Sequence, residues 1–158
     1  MKIEIMSRES IEQLAQQPFP EKTAVISIID SGASPVEFYY KPEFLLSLMF
    51  DDTEPDSDLL SKLLKEYPGF QNEYRIISDQ QAEEIANFAQ VMYMAADLLI
   101  CQCEFGQSRS AAVAAAIKEY FSGNGIDVFA DNRYFPNKYV FKKIFEKLRG
   151  KPAGRNRT

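Results

Sequence analysis

Five residues in one short stretch carry the reactive chemistry of this chain. Cys103, Gly106, Ser108, Arg109 and Ser110 lie in Cys103-Glu104-Phe105-Gly106-Gln107-Ser108-Arg109-Ser110, a thiol followed at fixed spacing by arginine and serine. The apolar run Leu98-Leu99-Ile100-Cys101 before it reads as a strand, and the alanine-rich run Ala111 to Tyr120 after it reads as a helix. A tight turn between the two aims successive backbone N–H groups into one concavity. The helix N-terminus adds partial positive charge at the same place. Gly106 permits a backbone conformation that a side chain obstructs. Arg109 offers a planar fork for two anion oxygens. The expected ligand is a phosphate or sulfate ion.

Thiols at helix N-termini beside cations ionise more readily than free cysteine, and a thiolate is a ready nucleophile. Cys103 is therefore the candidate nucleophile. The Ser110 hydroxyl is placed to donate to its sulfur. The chain contains no histidine. That removes Ser-His-Asp and Cys-His catalysis and the common zinc sites. No metal and no cofactor is expected. Cys101 and Cys103 are the only cysteines, too close in sequence for a usual structural disulfide. Cys101 reads as a small buried hydrophobe. A redox pair of the two requires loop movement, because residues two apart in a strand do not normally reach bonding geometry.

The segment resembles the signature loop of the cysteine-dependent protein tyrosine phosphatases, in the form C-x-x-G-x-S-R-S of the dual-specificity branch and its bacterial relatives. Cys103, Gly106, Ser108, Arg109 and Ser110 all match, and so does the strand–loop–helix setting. The resemblance is close over about residues 98–122 and architectural over 20–148. It implies a metal-free phosphatase acting on phosphotyrosine or with dual specificity, on a phosphorylated protein or a small phosphomonoester. Cys103 then forms a cysteinyl-phosphate, the amides of Glu104, Phe105, Gly106, Gln107, Ser108 and Arg109 cradle the phosphoryl group, the Arg109 side chain binds its oxygens, and Ser110 helps the thiolate leave. An aspartic acid on another loop protonates the leaving oxygen. Asp52, directly after the apolar run Phe44–Phe50, is the expected acid, with Asp51 as the alternative. Asp79 is better read as part of a helix cap. One position departs from the family: Gln102 stands where a histidine is usual, and brings no positive charge to the loop. A phosphate-binding module with weak turnover is the alternative reading, and a thiol redox or sulfur-carrier protein a third.

The elements that must hold this loop are legible in outline. Residues 2–6 alternate as a short strand, with Ser7 capping a helix that shows Ile11, Leu14 and Ala15 inward. Thr23 to Ile29 reads as a buried strand, Asp30 to Pro35 as a loop, Val36 to Tyr40 as an edge strand and Phe44 to Phe50 as a further strand. A helix is expected over 57–67, with Leu59, Leu60, Leu63, Leu64 and Tyr67 on one face. Ser78 or Asp79 opens a longer helix facing Ile85, Phe88, Ala89, Met92 and Ala96 inward. Gly123-Asn124-Gly125 ends the helix after the signature loop, and a loop follows. Asn137 caps a last helix with core face Val140, Phe141, Ile144, Phe145 and Leu148. Alternating strands and helices predict an α/β domain with a central, largely parallel sheet flanked by helices.

Length and charge bound the rest. The 158 residues, 46% hydrophobic, suit one domain. We expect it to span 1–148, followed by a basic, disordered tail at 149–158. That tail carries Arg149, Lys151, Arg155, Arg157 and no acid, so the remainder holds 14 basic against 23 acidic residues, a net −9. Such a body repels nucleic acid and anionic membrane surfaces. There is no run long enough to cross a bilayer and no basic-then-apolar leader at Met1-Lys2-Ile3-Glu4-Ile5, so a cytoplasmic protein is expected.

Overall fold

Four apolar runs become the strands of one parallel sheet: β1 (Lys2–Ser7), β2 (Thr23–Ile29), β3 (Phe44–Met49) and β4 (Leu98–Cys103), in the order β1-β4-β2-β3. The computed structural model describes residues 1–54, 62–63, 65–67 and 75–151. Register is direct: Ser7 pairs with Cys103, Ser27 with Gln102, and Ile29 with Met49. Every residue of β2 is buried, as a parallel strand covered on both faces must be. Because all four strands point the same way, their carboxyl ends share one edge of the sheet. Asp30 follows β2, Asp51 follows β3 by one residue, and Cys103 ends β4. In open parallel sheets this edge is where ligands bind.

Side-chain alternation divides the sheet into two faces. Ala24, Ile26, Ile28, Leu99, Cys101 and Cys103 face the main core, under helices α2 (Asp79–Ala95), α3 (Arg109–Ser122) and α5 (Lys138–Arg149). Val25 and Ile100 face the other way, against Ile11 of α1 (Arg8–Leu14) and Val36. The alanines of α3 are all buried, which lets this helix lie close on the sheet. A short helix, α4 (Ile126–Ala130), packs Val128 against Ala111 and Ala115. It occupies residues expected to be loop.

Local chemistry sets the helix ends as anticipated. The Ser7 side chain accepts from the Ser10 N–H, and Ser78 forms a reciprocal capping box with Gln81. Asn137 accepts from the Val140 N–H, and Gly123 closes α3 in the left-handed conformation. Two expectations need restating. Val36–Tyr40 is not a strand: it pairs with none of the four strands, and it is tied to α1 instead, by Arg8 donating to the Ser34 and Pro35 carbonyls just before it and by the Tyr40 N–H donating to the Ala15 carbonyl. The helix expected over 57–67 lies largely outside the described residues; of these, 62–63 and 65–66 are helical. At the C-terminal end, Arg149 closes α5, and Lys151 pairs with Glu83, so these basic residues belong to the folded body. Residues 152–158 lie outside the described ones. Among the described residues, no helix is long and apolar enough to cross a membrane.

Candidate active site

Cys103 is the last residue of β4 and only 2% exposed. Its Sγ lies 3.1 Å from the Oγ of Ser110, the second residue of α3, across the loop. The loop between them is held from outside by its carbonyls. The Glu104 carbonyl accepts from the Arg8 N–H at 3.0 Å, that of Gln107 from the Phe135 N–H at 2.9 Å, and that of Ser108 from the Asn137 N–H at 3.3 Å. Among the described residues, no backbone hydrogen bond outside the regular elements uses an N–H of residues 104–110 as donor. Carbonyls tied outward and amides left over make an anion nest. Ser108 is the N-cap of α3 but makes no capping bond to it. The free first-turn N–H groups of α3 therefore remain available to a ligand. Gly106 has φ +68°, and its Cα lies against the end of β1, so close that a Cβ there would meet Ser7 N at 2.6 Å.

Arg109 is buried, 4% exposed, and its guanidinium is fixed at two points. Nη1 donates to the Phe50 carbonyl at 2.7 Å, and Nη2 pairs with Asp30 Oδ1 at 2.5 Å. Its Nε has no partner among the described residues. A buried charged donor without an acceptor is costly unless a ligand completes it. Asp30 did not stand out in the sequence, where it read as a loop residue; only the parallel strand order brings it to Arg109.

The two adjacent aspartates divide their roles. Asp51 is spent on the scaffold: Oδ1 accepts from the Ser31 N–H and Oδ2 from the Arg75 N–H. Burial works to raise its pKa, but the Ser31 and Arg75 amides and the Arg109 charge outweigh it and hold the carboxyl below the usual range. Asp52 reaches the signature loop. Its Oδ1 accepts from the Ser108 Oγ at 2.8 Å and from the Asn137 Nδ2 at 2.8 Å. Both of these bonds fall on Oδ1. Asp79 instead pairs with Lys143 on α5, away from the loop.

Gln102 does not face the thiol. It lies on the opposite face of the sheet from Cys101 and Cys103, buried, with Oε1 accepting from the Ser27 Oγ at 2.6 Å. Cys101 is a free, fully buried thiol whose pKa is pushed up by burial and by its neighbour Cys103. Phe105 is 77% exposed on the rim of the loop. Tyr39 and Tyr40 stack edge-on to each other, also exposed. A cleft beside the loop is lined by Asp52, Ser108, Phe129, Tyr134, Phe135 and Lys138.

Comparison with solved structures identifies this arrangement as a known fold. The chain superposes on human DUSP28 with a TM-score of 0.53 at 18% identity, covering 94% of this chain and 92% of that one. It matches PTPMT1 in complex with PI(5)P at 0.51 and 11% identity, covering 94% and 91%. It matches Tk-PTP in the active form at 0.50 and 14% identity, covering 96% and 94%. No protein-family model matches the sequence, and no curated protein does either. At these identities the likeness is one of fold.

Proposed function

We propose that this chain, which has the protein tyrosine and dual-specificity phosphatase fold, hydrolyses phosphate monoesters through a cysteinyl-phosphate on Cys103. One observation carries the reading: Cys103, Ser110 and a buried Arg109, whose Nε has no partner among the described residues, meet on a single loop with the Glu104, Gln107 and Ser108 carbonyls tied outward. The substrate dianion sits in the nest of amides 104–109, with Arg109 on its equatorial oxygens. The Cys103 thiolate attacks phosphorus. An S–P bond forms as the P–O bond to the leaving group breaks, and Asp52 gives its proton to that oxygen. Water then attacks the cysteinyl-phosphate and Asp52 takes a proton from it. The S–P bond breaks, inorganic phosphate leaves, and Ser110 donates to the departing thiolate. Asp52 is preferred to Asp51 because its carboxylate touches the loop while that of Asp51 is engaged by two backbone amides.

The substrate class is a phosphorylated protein, on tyrosine or with dual specificity, or a small phosphomonoester. Residues 104–109 include no lysine, so nothing in the loop favours polyphosphorylated headgroups. A module that binds phosphate with little turnover is favoured by Gln102, which is turned to Ser27 and brings no charge to the thiol.

Hydrolysis of p-nitrophenyl phosphate decides between them. Turnover by wild type that Cys103→Ser abolishes, with phosphate binding retained, supports the enzyme. Phosphate binding without turnover supports the module. Equal turnover in Cys103→Ser would overturn the cysteinyl-phosphate reading.

A further inference from the structure

Asn137 does more than cap a helix. Its side chain is 1% exposed and has three partners from two parts of the chain. Oδ1 accepts from the Val140 N–H at 3.0 Å, the ordinary N-cap bond of α5. Nδ2 donates to Asp52 Oδ1 at 2.8 Å and to the Thr53 carbonyl at 3.1 Å. The amide orientation is set by these partners, because an N–H needs the oxygen and two acceptors need the nitrogen. Capping and loop-holding are thus carried by different atoms. A cap alone is served as well by serine or aspartate, but aspartate has no donor, and serine has one hydroxyl hydrogen on a shorter side chain where the Asn137 amide donates to both Asp52 and Thr53.

The surroundings point the same way. The backbone N–H of Asn137 holds the Ser108 carbonyl at 3.3 Å, and Ser108 Oγ donates to the same Asp52 oxygen. The next residue, Lys138, donates its N–H to the Glu54 carboxylate, where the N-terminus of α5 favours negative charge. The start of α5 therefore clamps residues 52–54 and the signature loop together.

We infer that Asn137 is a positioning residue: it fixes Asp52, the proton carrier, by Oδ1 against the signature loop. This rests on the phosphatase reading above. Asn137 touches no substrate and acts through Asp52. Holding a proton donor within about 1 Å of its place is worth on the order of 100-fold in rate. The benefit is largest where the leaving group most needs a proton.

The test uses Asn137→Ser and Asn137→Asp, both of which retain a good N-cap. Each is assayed on phenyl phosphate, a poor leaving group, and on p-nitrophenyl phosphate, a better one, in wild-type and Asp52→Asn backgrounds. Asn137→Ser is expected to lower kcat about 10- to 100-fold on phenyl phosphate and only a fewfold on p-nitrophenyl phosphate. In the Asp52→Asn background the same substitution should change little. Asn137→Asp keeps the cap but puts an acceptor where the donor to Asp52 stood, so it should show the same dependence of the loss on the leaving group. Equal losses on both substrates that persist in Asp52→Asn would mean that Asn137 only caps, and would overturn the inference. So would unchanged kinetics. Absence of turnover in wild type itself defeats the phosphatase reading and this inference with it. Thermal melts of both variants separate these outcomes from unfolding.

Discussion

Replacing Gly106 by alanine puts a methyl group where there is no room for one. Two costs follow, and they are separable. The first is conformational: φ is +68°, and a residue with a Cβ pays roughly 1–2 kcal/mol in the left-handed region. The second is steric: the added carbon lies 2.6 Å from Ser7 N and 2.7 Å from Met6 C. Ordinary contact begins near 3.4 Å, so the loop and the end of β1 must separate by about 0.8 Å to admit it. Both atoms are backbone, and Ser7 is in register with Cys103, so the strand yields only by disturbing the residue that carries the thiol. Overpacking of this kind costs roughly 1–3 kcal/mol. Gly123 provides the control. Its φ is +67°, it ends α3, and nothing lies within 4 Å of its Cβ position. Gly123→Ala should show the conformational cost alone, a fall in Tm of about 2–4 °C per kcal/mol. Gly106→Ala should fall about twice as far or more. It should also lose on the order of 100-fold in kcat/KM on p-nitrophenyl phosphate, because the nest is displaced by most of an ångström. Calorimetric melts and steady-state kinetics on the two variants make the comparison. Equal Tm losses, with phosphate affinity and kcat/KM of Gly106→Ala at wild-type values, would refute the contact between this loop and β1 as the reason for the glycine.

Two further outcomes follow from the loops around Arg109. Asp30→Ala leaves a buried guanidinium held, among the described residues, by the Phe50 carbonyl alone, so Tm should drop, and added phosphate or sulfate should raise it by more than in wild type; an equal rise in both proteins would count against the Asp30–Arg109 pair. Asp51 has a depressed pKa, so its contribution to stability is present above the unfolded carboxyl value near pH 4 and is lost as pH falls through the lower folded value. Asp51→Asn should therefore be less stable at neutral pH, with the gap to wild type narrowing below about pH 4 in denaturant titrations.

What was readable in the chain beforehand was local. Cys103, Gly106, Ser108, Arg109 and Ser110 declare themselves because the turn, the thiol and the helix start lie within one short segment. The caps at Ser7, Ser78, Asn137 and Gly123 were equally readable, since a cap bonds to residues a few positions away. Where local signals were weak, the reading failed. Val36–Tyr40 has strand-like residues, but its Tyr40 N–H is bonded to the Ala15 carbonyl at the end of α1 and the segment pairs with no strand. Ile126–Ala130 is too short for a periodic pattern to show.

The sequence by itself determined that a thiol, a glycine, an arginine and two serines share one strand–loop–helix segment, and the resemblance it carries pointed to two adjacent aspartates as candidate acids. Only the tertiary structure separated Asp51, bound by backbone amides, from Asp52, bound to the loop. Only it joined Asp30 to Arg109, Ser27 to Gln102 and Asn137 to Asp52, the last pair 85 positions apart. The physical reason is the strand order. A turn is encoded by its own few residues. The meeting of distant loops depends on β2, β3 and β4 lying parallel and adjacent, so that their carboxyl ends open onto one edge.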